Sequence, residues 1–326
     1  EIHSGDWSSD VCSSDLVFAA ILFIVTLFMI GSCASVLAEL DRISMGSGET
    51  ETPAQEQQTP QPTSTAEEPA QPQMEYTELA AAEQEIFRLV NIRRAEQNLP
   101  SLVLHAELSQ VAREHSADMA TRNYYSHIDP QGVTPHQRIE SAMGDRYYLE
   151  TSAENIAYSE RSDGFSSARQ QQIAQNFMHG WMNSPGHRAN ILRRGMTHIG
   201  IGLHRKDNRI YATQKFISYI ARLSGTQEGS TLALNEATIP FVLNAHRLDK
   251  EKLTVLLRLP DENAKWPTGD GRYYRGLGYI TPQWSAEHQF SVELPISAYG
   301  KGTYSIQLGA QGTGAVQQKA FTFHVK

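Results

Sequence analysis

The apolar positions divide the chain into regions of different periodicity. From Leu79 onward they recur at the three- and four-residue spacing of an amphipathic helix, and this spacing returns over 106–123 and 168–183. Two runs with strand character follow at 199–203 and 210–217. Helices followed by a hairpin predict an α+β fold, with a three-layer α-β-α sandwich over residues 79–220.

The pattern changes after Gly225, where short apolar or alternating runs are separated by turn residues. The runs predict a small all-β sandwich over residues 225–326, and an immunoglobulin-like arrangement is one option. No motif in this region specifies a function. The runs lie at 239–244, 253–259, 290–296, 303–308 and 320–325.

Three segments precede the helical pattern. Residues 1–16 resemble translated sequencing-adapter sequence, so we expect them to be non-native and exclude them from functional reasoning. Residues 17–38 are apolar and uncharged. Residues 39–78 are rich in Pro, Gln, Glu and Thr, which predicts a disordered linker because such a segment buries too little apolar surface to offset its ordering entropy.

The apolar segment has two interpretations. Residues 17–38 are long enough to cross a bilayer core of ~30 Å as one transmembrane helix. Alternatively they contain a signal peptide that ends in the lipobox Ile30-Gly31-Ser32-Cys33, with the lipid attached to Cys33. Both interpretations predict an extracytoplasmic protein that is membrane-anchored or secreted.

Charge and cysteine content exclude several classes of function. The net charge is −8, but nine acids and no Lys or Arg lie between Arg42 and Arg88, so the remainder is close to neutral. The remainder contains no run of basic residues, and we therefore expect no nucleic-acid partner. The two cysteines, Cys12 and Cys33, both precede the predicted domains. This excludes a cysteine nucleophile and a Cys-ligated zinc site there.

Four short strings occur in order between residues 79 and 220. Together they resemble the bacterial branch of the CAP superfamily, whose extracellular domain is also called SCP-like. The resemblance implies an α-β-α sandwich with a cleft that holds paired His and Glu side chains. The strings are NYYSHIDP at 123–130, AENIA at 153–157, WMNSPGHRANIL at 181–192, and HIGIG with YATQKF at 198–202 and 211–216.

Three of these residues also form a plausible site on their own chemistry. His127 precedes the turn signal Asp129-Pro130, Glu154 lies in a segment with few other charges, and His187 follows a Pro-Gly break. Two imidazoles and one carboxylate would suit zinc or another divalent metal with an open fourth position. They would equally suit general acid–base chemistry.

The resemblance implies that His127 and Glu154 are the cleft His and Glu. For the second histidine we favour His187 and keep His198 as the alternative. Eukaryotic members carry a further Glu where this chain has Ser184, and the departure lowers the expectation of metal binding or peptidase activity.

Structural interpretations remain open for the same residues. The two histidines and Glu154 could form a hydrogen-bond network that only fixes loops. Asn190 and Gln214 are expected to be buried hydrogen-bonding residues. We expect His115 to be a satisfied core residue. Arg138 and Arg188 could hold a carboxylate or phosphate at the cleft, but we favour solvated charges for both.

No standard hydrolase or nucleotide-binding motif occurs, which favours a binding protein over an enzyme. The leading hypothesis is a membrane-anchored extracytoplasmic CAP protein that binds a small ligand, an envelope component or a metal at the cleft. One alternative is a metal- or His/Glu-dependent hydrolase of envelope peptides or peptidoglycan. Another is a structural or adhesion protein that acts through the C-terminal β-domain.

Overall fold

The computed structural model describes residues 2–3, 72–161, 170–226, 228–234, 237–311 and 319–326. The predicted anchor at 17–38, with Cys33, lies outside these residues, as does most of the linker. Within the described part, no helix has both the length and the apolar character needed to span a bilayer.

Residues 72–223 build the helical layers and the sheet between them. The helices are α1 (Pro72–Ala95), α2 (Ala106–Thr121), α3 (Pro135–Met143), α4 (Gln170–Asn183) and α5 (Pro185–Ile191). The strands are β2 (Val103–Leu104), β3 (Tyr147–Glu160), β4 (His198–Lys206) and β5 (Arg209–Leu223), and β1 (Ile2–His3) pairs with the end of β3.

The central sheet has β5 between β3 and β4, and both pairings are antiparallel. Glu154, Lys215 and Gly200 lie opposite one another across the three strands, so they share one face of the sheet. Helices α2 and α3 cover this face, where Gly200 packs against the backbone of α2 at Leu108. Helices α1 and α4 cover the other face around Phe216.

Local sequence signals explain several element ends. Helix α3 begins with a capping box between Thr134 and Gln137, with Pro135 in the first turn. After α2 the chain turns at Asn123, whose φ of 54° is tolerated by asparagine. Two bounds differ from the sequence prediction by more than three residues. Helix α1 begins at Pro72 rather than Leu79, and β5 continues to Leu223 rather than stopping at 217.

Residues 231–325 form the β-rich C-terminal region. Its core, which includes Phe241, Phe290, Ile306 and Phe321, lies between two sheets. The elements are β6 (Thr231–Leu232), β7 (Thr238–Leu243), a 3₁₀ turn (Lys250–Lys252), β8 (Leu253–Arg258), β9 (Lys265–Pro267), β10 (Tyr273–Arg275), β11 (Leu277–Tyr279), β12 (Gln283–Ala286), β13 (Gln289–Glu293), α6 (Ile296–Tyr299), β14 (Gly302–Ala310) and β15 (Phe321–Val325).

The two regions share one sheet. The last residues of β5, Ala221–Leu223, pair with β7, so the central sheet continues into the C-terminal sandwich. Tyr148 on β3 belongs to the C-terminal core and donates a hydrogen bond to the Lys319 carbonyl. Residues from Pro72 to Lys326 accordingly form one compact unit. The predicted α+β class with a β-rich C-terminal part is confirmed.

Candidate functional site

Glu154 is the centre of a buried group of charged side chains. It lies in the middle of β3 directly opposite Lys215 on β5, and its side chain is 1% exposed. The Lys215 ammonium contacts the carboxylate at 2.5 Å and is itself fully buried. Because an isolated buried carboxylate is very costly, this pairing is what allows Glu154 to remain ionised inside the fold.

His127 lies between Glu154 and solvent, in the loop that joins α2 to α3. Its Nδ1 is 2.8 Å from Glu154 Oε1, while 37% of its side chain stays exposed. Asp129 organises the loop by accepting hydrogen bonds from the backbone N–H groups of Gln131 and Val133. In the neutral tautomer that donates Nδ1–H to the carboxylate, the lone pair lies on Nε2, at the far side of the ring from Glu154.

Arg138, on α3, ties this loop to the carboxylate. Its Nη2 donates to the His127 carbonyl at 2.5 Å and lies 3.4 Å from Glu154 Oε2, and its Nη1 donates to the Val133 carbonyl. The side chain is 13% exposed. The sequence interpretation of Arg138 as a solvated charge is therefore wrong.

His115, on α2, completes the group. Its Nε2 lies 3.2 Å from Arg138 Nη2 and 3.7 Å from Glu154 Oε1. Burial lowers the pKa of His115 to about 4; the Glu154 carboxylate opposes this shift, and Arg138 and Lys215 add to it. The imidazole is thus neutral near pH 7. We call Glu154, Lys215, His127, Arg138 and His115 the carboxylate cluster.

Opposing effects set the ionisation of Glu154. Burial by itself raises its pKa, but the Lys215 ammonium, the His127 hydrogen bond and Arg138 together hold the pKa well below its ordinary value. Glu154 is therefore ionised near neutral pH. It can fix the orientation of His127 without itself exchanging a proton.

Helix α5 brings His187 to the same place. Among the described residues, no strand pairs with the outer edge of β3 at Glu154 and Asn155. Helix α5 lies at this edge instead, where the Asn190 amide donates a hydrogen bond to the Glu154 carbonyl. Asn155 in turn donates to the His187 carbonyl at 3.1 Å. Burial, with a smaller effect of the nearby His127, lowers the pKa of His187 to about 4. His187 therefore lies close to His127 and to the strand that carries Glu154, and we call the surroundings of these three residues the cleft.

Residues 87–217, which contain the whole cleft, match the cysteine-rich secretory protein family, CAP. This segment is a CAP domain. Over 139 residues it is 35% identical to the protein YkwD of Bacillus subtilis strain 168, a match that covers 43% of this chain and 48% of YkwD.

Two further proteins share the CAP domain. The membrane protein YlbC of Bacillus subtilis strain 168 is 34% identical over 136 residues, covering 42% of this chain and 34% of YlbC. An extracellular protein containing a SCP domain, from Bacillus anthracis, is 33% identical with a TM-score of 0.35, and the match covers 42% of this chain and 40% of that one. The chain spans about half of YkwD and a third of YlbC.

His198 lies elsewhere in the CAP domain. Its ring centroid is 4.9 Å from that of Tyr219 and 5.7 Å from that of His105, and its Nδ1 is 2.8 Å from Thr197 Oγ1. It is on β4, two strand spacings or roughly 10 Å from β3. The structure therefore places His187, and not His198, beside His127 and Glu154.

The cleft residues fit a resident metal ion poorly. His127 and His187 offer imidazole nitrogens, but both oxygens of Glu154 already face His127, Lys215 or Arg138. A divalent cation would have to approach an ammonium and a guanidinium. Within the described residues, no three His, Cys, Asp or Glu side chains are grouped to hold a metal.

The sequence analysis did not assign Lys215, Arg138 or His115 to the carboxylate cluster. Lys215 gave a signal, since a lysine in the apolar pattern of β5 must find a buried partner. His115 was expected to be a satisfied core residue, which is wrong because its Nδ1 has no hydrogen-bond partner among the described residues.

Asn190 and Gln214 do make the expected structural hydrogen bonds, both with Asn155.

Proposed function

We propose that the chain is an extracytoplasmic CAP protein that binds a component of the cell envelope at the cleft. The observation that carries this proposal is the contact between His127 and Glu154. The buried carboxylate fixes the ring by its Nδ1–H while the other side of the ring stays exposed. A solvent-facing polar group held by a buried charge is a feature of binding sites, since it is costly to build and unnecessary for packing.

The hydrogen-bonding groups of His127 suggest the class of ligand. In the neutral ring that donates Nδ1–H to Glu154, Nε2 can accept a hydrogen bond, as from a sugar hydroxyl or a peptide N–H. Peptidoglycan offers both groups. An extracytoplasmic position is supported by the CAP domain and by the apolar segment at 17–38.

Binding of the full chain to purified peptidoglycan tests the proposal. We expect His127→Gln to weaken binding by about tenfold or more, because the amide groups lie one carbon further from the backbone and cannot take the positions of Nδ1 and Nε2 together. His324→Gln, an exposed histidine of the C-terminal region, is the matched control and should bind normally. Equal binding by both variants, with folding verified by circular dichroism, would contradict the proposal. Zinc titration of the same proteins tests the metal alternative.

A hydrolase is the second candidate, because an imidazole that a carboxylate orients through Nδ1 is the arrangement of a general base. If the cleft cleaves peptidoglycan or its peptides, Glu154→Gln should lower kcat far more than KM. Release of soluble fragments from labelled peptidoglycan is the measurement. Absence of release by the unmodified chain removes this candidate and leaves the binding proposal intact.

Adhesion through the C-terminal region is the third candidate. Tyr273, Tyr274 and Tyr279 are large exposed side chains on β10 and β11, and the rings of Tyr274 and Tyr279 lie 6.0 Å apart. Exposed aromatic rings stack on sugar faces. If this surface carries the attachment, Tyr274→Ala with Tyr279→Ala abolishes peptidoglycan binding while His127→Gln does not.

A further inference from the structure

Strands β9 and β10 form a two-stranded ribbon of their own in the C-terminal region. Every residue from Pro267 to Arg275 in this ribbon is exposed. Its base is fixed by Trp266, whose ring stacks on that of Tyr299 with the centroids 5.7 Å apart. A Cβ at Gly278 would collide with the same indole, so this glycine lets Trp266 lie against β11. The ribbon is therefore held in place while its surface stays open to solvent.

The tip of the ribbon is closed by a turn that uses the acid of the ribbon. Gly269 and Gly271 have φ of 84° and 82°, which suits glycine. Between them, Asp270 accepts hydrogen bonds from the backbone N–H of Arg272 at 3.1 Å and from its Nε at 2.6 Å. Asp270 is the only acid between residues 265 and 275. Its charge is thus already paired within the turn.

Two cations on one face of the ribbon have no acid to pair with. Lys265 and Arg275 lie directly opposite each other in the ladder, where like charges destabilise a strand pair. Among the described residues, neither side chain forms an ion pair. Tyr273 lies on the same face, two residues from Arg275, and the Lys265 ammonium is 4.7 Å from the centroid of its ring. We call Lys265, Tyr273 and Arg275 the ribbon face.

The chemistry of the ribbon face fits an anionic sugar. Lysine and arginine bind carboxylates, and an arginine does so through two parallel hydrogen bonds. A uronic acid carries its carboxylate on the pyranose ring itself, so an aromatic ring and an ammonium 4.7 Å apart can contact the ring and the charge of one sugar. A lipid surface fits less well, because the tip residues 268–272 contain no apolar side chain that would enter a membrane.

We propose that the ribbon face binds an acidic polysaccharide of the uronic-acid class. The sugar packs on the exposed ring of Tyr273, and its carboxylate bridges Lys265 and Arg275, which removes the repulsion between these cations. The site is distinct from the pair of Tyr274 and Tyr279, because successive residues of a strand point to opposite faces. It goes beyond the proposed function of the cleft and does not depend on it.

Binding of the full chain to polygalacturonate tests the proposal. We expect the affinity for methyl-esterified polygalacturonate, which has the same rings without the charge, to be lower by about tenfold or more. Lys265→Gln with Arg275→Gln should weaken the binding of polygalacturonate to a similar extent. Lys250→Gln with Arg194→Gln is the matched control, because it removes the same two charges from exposed positions elsewhere, and it should bind normally.

The contribution of the aromatic ring is tested separately. Tyr273→Ala should weaken binding by about tenfold, whereas Tyr273→Phe keeps the ring and should bind normally. No binding of polygalacturonate by the unmodified chain would overturn the proposal, as would equal losses in the two double variants or equal affinity for the methyl ester. Binding to phosphatidylglycerol vesicles without binding to polygalacturonate would assign the face to a membrane surface instead. His127→Gln should bind polygalacturonate normally, which separates this test from that of the cleft.

Discussion

Glu154 and Lys215 form a buried ion pair at the centre of the CAP domain. Both side chains are inaccessible to solvent, so each depends on the other for its charge. Breaking a buried pair by removing one partner costs about 3–5 kcal/mol, because an uncompensated charge remains. Replacing both partners costs less, since no charge is left behind.

We therefore expect Lys215→Met to lower the free energy of unfolding at pH 7 by about 3–5 kcal/mol. The double variant Lys215→Met with Glu154→Gln should recover part of the loss. Lys252→Met is the control, because its ammonium pairs with Asp249 in solvent, and it should have no measurable effect. Urea unfolding measures all three. A loss in Lys215→Met no larger than that of the control would contradict the assignment.

Three histidines, two buried and one partly buried, make stability depend on pH. Burial lowers the pKa of His115, His187 and His198 to about 4, whereas an unfolded histidine titrates near 6.5. Between these values the unfolded chain binds more protons than the folded one, so stability falls as the pH is lowered from about 6.5 to 4. The depressed pKa of Glu154 acts in the same direction at lower pH.

The expected result is an uptake of roughly two to three protons on unfolding at pH 5, one for each of these histidines that remains neutral in the native state. Urea unfolding at intervals between pH 7.5 and 4.5 gives this number from the slope of the unfolding free energy against pH. A free energy that does not change between pH 7 and 5 would show that the histidines are not buried in their neutral form.

At the scale of elements, α2 lies directly on β4. A Cβ at Gly200 would meet the backbone of Leu108, and one at Gly202 would meet the backbone of Ala112 and Arg113. Since backbone cannot move aside as a flexible side chain can, the two glycines set the distance between helix and sheet. That distance fixes where His115 lies relative to Glu154.

Gly200→Ala and Gly202→Ala should each destabilise the protein by about 1–3 kcal/mol through overpacking. Gly186→Ala is the matched control, because a Cβ there meets open space, and it should be neutral or slightly stabilising. Thermal unfolding compares the three variants. Equal melting temperatures for Gly200→Ala and Gly186→Ala would mean that the helix adjusts to the added methyl group without loss.

Element identity could be predicted from the sequence because periodicity and caps are local. The helices over 106–123 and 168–183 were expected, and they are found as α2 and α4 with small shifts at their ends. The true length of β5 was not predictable. Its last residues, Ala221–Leu223, are a strand because β7 pairs with them, and β7 lies further along the chain.

At the scale of the whole molecule, the CAP domain and the C-terminal sandwich depend on each other. Tyr148 is part of β3, yet the centroid of its ring lies 5.7 Å from that of Phe321. Glu150, two residues further along β3, pairs with Arg247. Together with the shared sheet, these contacts predict that the described unit unfolds in one cooperative transition.

Tyr148→Ala should lower the unfolding free energy of both regions by about 3–5 kcal/mol, as expected for a large buried aromatic. Tyr279→Ala, at a side chain that is 52% exposed, is the control and should change little. Hydrogen exchange of β4 and β14 reports on the two regions separately. Loss of protection in β14 alone would show that the regions unfold independently.

The fold class, the CAP-like strings and the candidate residues His127, Glu154 and His187 could all be named from the sequence alone. They follow from local periodicity and from short motifs, both of which lie within continuous stretches of the chain. The partners of Glu154 depend instead on how distant parts of the chain pack together. Lys215, Arg138 and His115 come from another strand and two helices, and strand register and helix packing bring them together. The tertiary structure also places His187 nearer than His198 to Glu154, because α5 packs against the edge of β3 whereas β4 lies beyond β5.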